Sequence, residues 1–279
     1  MRKNIILKNK RNNLDEVCQI CLLDREEIDL MISLQNEVYN TLQSKSLLMI
    51  DTKEDIEFFL TQGGVILGVF NADDELIAYR NTSIPGPSFL NLGRDIGLID
   101  DALLNVIHLE STIVHPDYRG NHLQIELFNI FSSLSNLEDK HLLCTIAPEN
   151  IISLHNILSL GFTIQNIKIK QTSDNKKYLR FILYKGPNHT SIDLEDQKEI
   201  LSKVFDQGPQ CYGYLCEITE ADERTSFYNE YLLVITEDIS GHFDALYDGF
   251  EGIAYVKERN CILYVKNQMI DFEKAVQNV

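Results

Sequence analysis

The sequence predicts a mixed, largely antiparallel β-sheet flanked by helices, an α/β chain of the α+β mixed-sheet kind, with a small C-terminal α+β appendage. Three observations predict it. Two runs with helical spacing precede a strand–turn–strand pattern. A strand, a helix, a second strand, a second helix and an antiparallel pair then follow between Val106 and Tyr184, which implies a mixed sheet flanked by helices. Beyond Gly186-Pro187-Asn188 the pattern starts afresh with shorter, acidic elements. The chain therefore divides into an N-terminal arm (1–23), a main domain (24–186) and an extension (187–279).

In chain order, Asp24 and Glu27 form a capping-box pattern ahead of Ile28, Met31, Ile32, Val38 and Leu42, spaced as one face of a helix. Thr52 with Asp55 opens a second, shorter helix that stops at Gln62-Gly63-Gly64. Val65 to Phe70 and Leu76 to Tyr79, joined by Asn71 to Asp74, read as a hairpin. Asn81 to Asp101 is rich in turn formers, and a loop of that length reads as a substrate-facing flap. Val106 to Val114 is a strand; a helix follows and ends near Leu134, and His141 to Ala147 is the next strand. After Pro148-Glu149-Asn150 a helix runs to a stop at Gly161, and Phe162 to Ile169 pairs with Tyr178 to Tyr184. The extension offers a helix through Ile200, Leu201, Val204 and Phe205, and strands at Tyr212 to Cys216, Tyr231 to Ile235, Gly252 to Val256 and Cys261 to Val265.

Bulk composition narrows the function classes. A net charge of −17 leaves no broad basic surface for nucleic acid, because phosphate contacts need clustered Lys and Arg. The one basic run, Arg2, Lys3, Lys8, Lys10 and Arg11, reads as a solvated, frayed terminus. The chain has neither a signal-peptide pattern nor an apolar run of bilayer length, so a cytoplasmic protein with no membrane partner is expected. The six cysteines then read as reduced thiols. Cys18-Gln19-Ile20-Cys21 has metal-like spacing, but its only complement is the distant Cys211 and Cys216, and no metal is expected.

The most informative stretch is Ile113-Val114-His115-Pro116-Asp117-Tyr118-Arg119-Gly120-Asn121-His122-Leu123-Gln124. A strand leaves through a Pro-Asp turn and an Arg-Gly-Asn corner into a helix start. Unpaired N–H groups and the positive end of the helix dipole make such a start a seat for an anion such as phosphate.

Together with Glu110-Ser111-Thr112 upstream, this stretch resembles the signature of the GNAT superfamily of acetyl-CoA-dependent N-acyltransferases, and Asn150, Ser153 and Gly161-Phe162 match a second block of that family. The resemblance covers about Asp24 to Lys185. It implies acetyl-CoA as co-substrate, with its pyrophosphate held by Arg119, Gly120, Asn121, His122, Leu123 and Gln124, and its arm touched by Asn150 and Ser153. It also implies backbone donors near Ile113 and Val114 for the developing oxyanion. His122 and Gln124 depart from the pattern, since small residues often stand there in the family. Ile157 stands where relatives often carry a tyrosine acid, and Tyr118, Tyr178 and Tyr184 are the other hydroxyls available.

Strand alternation puts His108, Glu110 and Thr112 on one face. Glu110 matches the family's proposed proton acceptor, and His108 is its partner or substitute. Cys144 reads as core. The expected function is transfer of an acetyl group to a primary amine of a small molecule or peptide by direct attack, with a homodimer as a further candidate assembly. The alternative is a non-catalytic CoA-binding regulatory or interaction protein on the same fold.

Overall fold

The computed structural model describes residues 1–171, 175–187 and 230–266. Eleven strands form one sheet: β1 (Arg2–Asn9), β2 (Leu14–Leu22), β3 (Ile66–Phe70), β4 (Leu76–Ser83), β5 (Val106–Val114), β6 (His141–Ile146), β7 (Thr163–Gln171), β8 (Lys177–Lys185), β9 (Glu230–Ile235), β10 (Glu251–Val256) and β11 (Cys261–Lys266). Their spatial order is β1-β2-β3-β4-β5-β6-β8-β7-β10-β11-β9. Every pairing is antiparallel except β5 with β6.

Six α-helices accompany the described strands: α1 (Ile28–Thr41), α2 (Lys53–Thr61), α3 (Asp100–Leu104), α4 (Leu123–Leu134), α5 (Ile151–Ser159) and α6 (Ile239–Tyr247). Both predicted capping boxes are present, Asp24 with Glu27 ahead of α1 and Thr52 with Asp55 at α2. On one side of the sheet Ile28, Met31, Val38 and Ile56 pack against Ile66, Tyr79 and Ile113. A second, larger cluster joins Leu127, Phe131, Leu154 and Leu158 to Ala78, Leu109 and Cys144.

The N-terminal arm is not frayed. It is the hairpin β1–β2, in register from Arg2↔Cys21 to Asn9↔Leu14, and it extends the sheet from β3. The alternation that builds it is masked because Leu7, Cys18 and Ile20 turn inward and are buried, while the outward face mixes Arg2 and Lys8 with the exposed Ile6 and Val17. The edge of β1 that faces away from β2 is clamped to the strand-to-helix corner. Asn121 Oδ1 accepts from the Lys8 amide at 2.8 Å, Asn121 Nδ2 donates to the Lys8 carbonyl at 2.9 Å, and the Lys10 amide donates to the Asp117 carbonyl at 2.8 Å.

At the other end, Gly252 of β10 pairs with Ile164 of β7, so the described part of the extension continues the same sheet. A Cβ on Gly252 would fall 2.9 Å from Ile164, which is why a glycine stands at this join. Helix α6 lies between β9 and β10 in the chain and stacks His242 edge-on against Phe181, centroids 5.0 Å apart. The helix expected around Ile200 to Phe205 and the strand at Tyr212 to Cys216 fall outside the described residues.

The Asn81 to Asp101 stretch is more ordered than a flap. Strand β4 runs on to Ser83, Leu92–Ile96 forms a 3-10 turn, and α3 begins at Asp100. The buried Asn91 holds it, donating from Nδ2 to the carbonyls of Gly86 (2.6 Å) and Leu103 (3.0 Å). No helix among the described residues is long and apolar enough to cross a membrane.

Candidate functional site

The site begins where β5 and β6 part. Their parallel pairing covers Val106↔His141, Ile107↔Leu142 and His108↔Leu143, and no pair follows although β5 continues to Val114 and β6 to Ile146. The opening leads into a cleft of about 700 Å³. Its walls come from the segment before α2 (Leu47 to Asp51), from β5 (His108 to Thr112), from the starts of α4 and α5 (Gln124, Asn150, Ser153) and from β7 and β8 (Lys168, Lys170, Arg180).

A β-bulge shapes the β5 wall. Arg80 pairs with Thr112 and Thr82 with Leu109, so Glu110 and Ser111 together oppose the single residue Asn81. The Ser111 amide donates to Asn81 Oδ1 at 2.7 Å, which satisfies a donor that the bulge takes out of the ladder. The bulge also breaks the expected alternation. Leu109 lies in the core beneath α4, whereas Ile113 packs with the α1 and α2 residues, so Thr112 does not share the face of His108 and Glu110. Beyond the bulge the His115 amide donates to the carbonyl of Ile77 in β4. Alternation then turns the Ile113 N–H toward β4 as well and leaves those of Thr112 and Val114 on the β6 side. Ile113 is thereby removed as a backbone donor to the cleft. Thr112 lines the cleft, whereas Ile113 and Val114 do not.

Glu110 and His108 meet as the sequence suggests, with Nδ1 of His108 at 3.4 Å from Oε1 of Glu110. The other ring nitrogen, Nε2, accepts from the Leu92 amide at 3.0 Å. That bond places the proton on Nδ1, facing the carboxylate, and occupies the lone pair a base would need. His108 therefore orients Glu110. Ser83 Oγ donates to the same Oε1 at 2.5 Å. Burial pushes the Glu110 carboxyl up, but the hydrogen bonds from His108 and Ser83 and the Lys170 charge outweigh it, and the net shift is down.

Sequence reasoning missed Asp51. This residue lies one position before the N-cap of α2, and the buried Gln35 fixes its backbone by accepting from the Asp51 amide (3.0 Å) and donating to its carbonyl (2.8 Å). Asn81 Nδ2 donates to Asp51 Oδ2 at 3.1 Å, so the bulge partner bridges Ser111 to Asp51. Burial, with the Glu110 charge adding to it, pushes the Asp51 carboxyl up to about 6 despite the hydrogen bonds from Asn81 and Ser111. The only sequence signal was its position beside a capping box.

Arg80 was missed too. Its residue is 2% exposed, and it lines the cleft beneath the start of α4. Nη2 donates to the Gln124 carbonyl at 3.3 Å and the guanidinium lies 5.6 Å from the Phe128 ring centre, yet Nε and Nη1 have no hydrogen-bond partner among the described residues. Burial lowers its pKa to about 10.

At the corner, Gly120 has φ +89° and His122, the N-cap of α4, has φ +54°. A histidine in the left-handed region is strained by about 1–2 kcal/mol. The N–H groups of Gly120 to Gln124 find no acceptor among the described residues. Lys10, in the turn after β1, covers Gly120 and stands beside these donors. Arg119 Nε donates to the Val114 carbonyl at 3.4 Å, while the Asn121 side chain is spent on the β1 clamp. Leu123 is buried in the core beneath α4. The Gln124 side chain ties the two helix starts together, donating to Ser153 Oγ at 2.8 Å and accepting from Asn156 Nδ2 at 2.9 Å. Asn150 caps α5, its Oδ1 accepting from the Ser153 amide at 3.3 Å.

None of the three tyrosines singled out from the sequence lines the cleft. Tyr118 donates to Glu16 at 2.7 Å, Tyr184 pairs with His141, and Ile157 stands in the lining instead. Cys144 also lines it, with its thiol pushed up to about 12 by burial and so held neutral.

No protein-family model matches the chain, and no curated protein matches it. Solved structures do. An acetyltransferase of the GNAT family from Streptococcus pneumoniae is 15% identical, covers 61% of this chain and 99% of its own, and superposes with a TM-score of 0.45. An N-acetyltransferase from Staphylococcus aureus is 16% identical over 61% of this chain and 97% of its own, with a TM-score of 0.45.

Proposed function

We propose that the protein transfers an acetyl group from acetyl-CoA to a primary amine. The observation that carries this reading is the parting of β5 from β6 over an ionised carboxylate, Glu110, in a cleft that also reaches the start of α4. The resemblance of Glu110 to Gln124 and of Asn150, Ser153 and Gly161-Phe162 to the GNAT signature supports it.

In this reading the coenzyme pyrophosphate lies against the free N–H groups of Gly120 to Gln124, with Arg119 and Lys10 adding charge. The acyl arm runs beside β5, where the Thr112 N–H replaces that of Ile113 as oxyanion donor. Gln124, Asn150 and Ser153 line its path, and Arg80 offers Nε and Nη1 to a carbonyl oxygen of the arm.

An ammonium acceptor must lose two protons. The first passes to solvent, with Asp51 and Glu110 stabilising the departing charge. The nitrogen lone pair then attacks the thioester carbon, the C–N bond forms, the C–S bond breaks, and Glu110 takes the second proton. The thiolate leaves with the bonding pair and takes a proton from water, so neither Ile157 nor a tyrosine is needed as acid.

Thermal melting with acetyl-CoA tests the binding half of this proposal. At a hundredfold excess over the dissociation constant the ligand adds about 2.7 kcal/mol. No shift at any concentration contradicts the proposal, and a shift without transfer to any amine favours a non-catalytic CoA-binding protein.

A further inference from the structure

Charges of both signs line the acceptor side of the cleft, and this limits what fits there. Asp51 and Glu110 stand on one wall. Facing them, Lys168 and Arg180 are cross-strand partners on β7 and β8, and Lys170, two residues along β7, shares their face. Lys168 is committed to Asp95 at 2.5 Å. The other two are not fully paired. Arg180 is 3% exposed, and its Nη2 donates to the Ser46 carbonyl at 2.7 Å, but its Nε has no partner among the described residues. The Lys170 ammonium makes no hydrogen bond or ion pair with any described residue, although the Glu110 charge acts on it.

A bare amine satisfies the acids and leaves the Lys170 ammonium and the Arg180 Nε without a partner among the described residues. A carboxylic acid without an amine does the reverse. Each omission costs a desolvated, unpaired charge, whereas a ligand carrying both groups closes both deficits.

We propose that the acceptor is an α-amino acid, its amino group held by Asp51 and Glu110 and its carboxylate by Lys170 and Arg180. Leu47, Leu48, Phe59 and Phe89 also line the cleft and offer contacts to an apolar side chain. The product claim rests on the acetyl-transfer reading above; the binding claim does not need it.

The test is calorimetric titration of the whole protein, without acetyl-CoA, using L-phenylalanine, L-phenylalaninamide and 2-phenylethylamine, which share one side chain and one amine. The amino acid binds at least about tenfold more tightly than the other two, the effect of one charge-assisted contact. Lys170→Met removes that preference and Lys170→Arg, which keeps the charge, retains it. Equal binding of the three probes, tighter binding of the amine, or no binding of any probe at millimolar concentration overturns the proposal. Acetyl-CoA melting run alongside separates the two readings, because loss of the coenzyme shift leaves the amino-acid preference standing, and the converse also holds.

Discussion

Asp51 and Glu110 face the same cleft and titrate in opposite directions, because Glu110 has His108, Ser83 and Lys170 around it while Asp51 has burial and the Glu110 charge. The raised Asp51 pKa means that the folded state holds its proton more tightly than the unfolded chain. Stability from this group is full below the ordinary value of 3.8 and is lost as pH rises through about 6. Asp51→Asn should therefore gain on wild type between pH 4 and 7, by on the order of 3 kcal/mol, in denaturant melts across that range. The same substitution should erase an inflection near pH 6 in kcat/KM. Glu110 behaves the other way, its contribution present at neutral pH and lost as pH falls through its depressed pKa, and Glu110→Gln should lower kcat by about 10²–10⁴. Arg80 makes a third case. A buried cation with two idle nitrogens costs the apo fold, so Arg80→Met should not lower the melting temperature but should weaken acetyl-CoA binding about tenfold.

At the scale of elements, the caps and the bulge carry the geometry. Thr52→Ala should cost about 1 kcal/mol through its lost bond to the Asp55 amide, and it loosens the chain that places Asp51. His122→Gly should stabilise by up to about 1 kcal/mol, since glycine takes a positive φ without the Cβ clash. Both capping boxes, the bounds of β5 and the glycine stops of α2 and α5 were legible because each depends on neighbours within a few residues. The bulge was not. It is set by the cross-strand register of β4 and by Asn81, and no periodicity along β5 announces it. Simple alternation therefore groups Thr112 with His108 and Glu110, whereas the register turns Thr112 to the other face and the Ile113 N–H toward β4.

Across the whole molecule, one sheet runs from the N-terminal hairpin to β9, so the arm and the described part of the extension are structural neighbours of the site's strands rather than attachments. The arm was read as solvated because its charges are local in sequence, whereas its partners, Asn121 and Asp117, lie more than a hundred residues away. Asp51 and Arg80 escaped notice for the same reason, as their roles exist only after folding places them in the cleft. Asn121→Ala should cost about 1 kcal/mol in equilibrium unfolding, because the exposed Lys8 amide and carbonyl exchange the Asn121 side chain for water. The most direct test of the central claim is free-thiol release from acetyl-CoA with an amine acceptor, comparing wild type and Glu110→Gln. Acetyl transfer predicts acceptor-dependent release by wild type with an N-acetylated product and a loss of at least about a hundredfold in the variant. Release that ignores the acceptor, or equal rates in the two proteins, would contradict it.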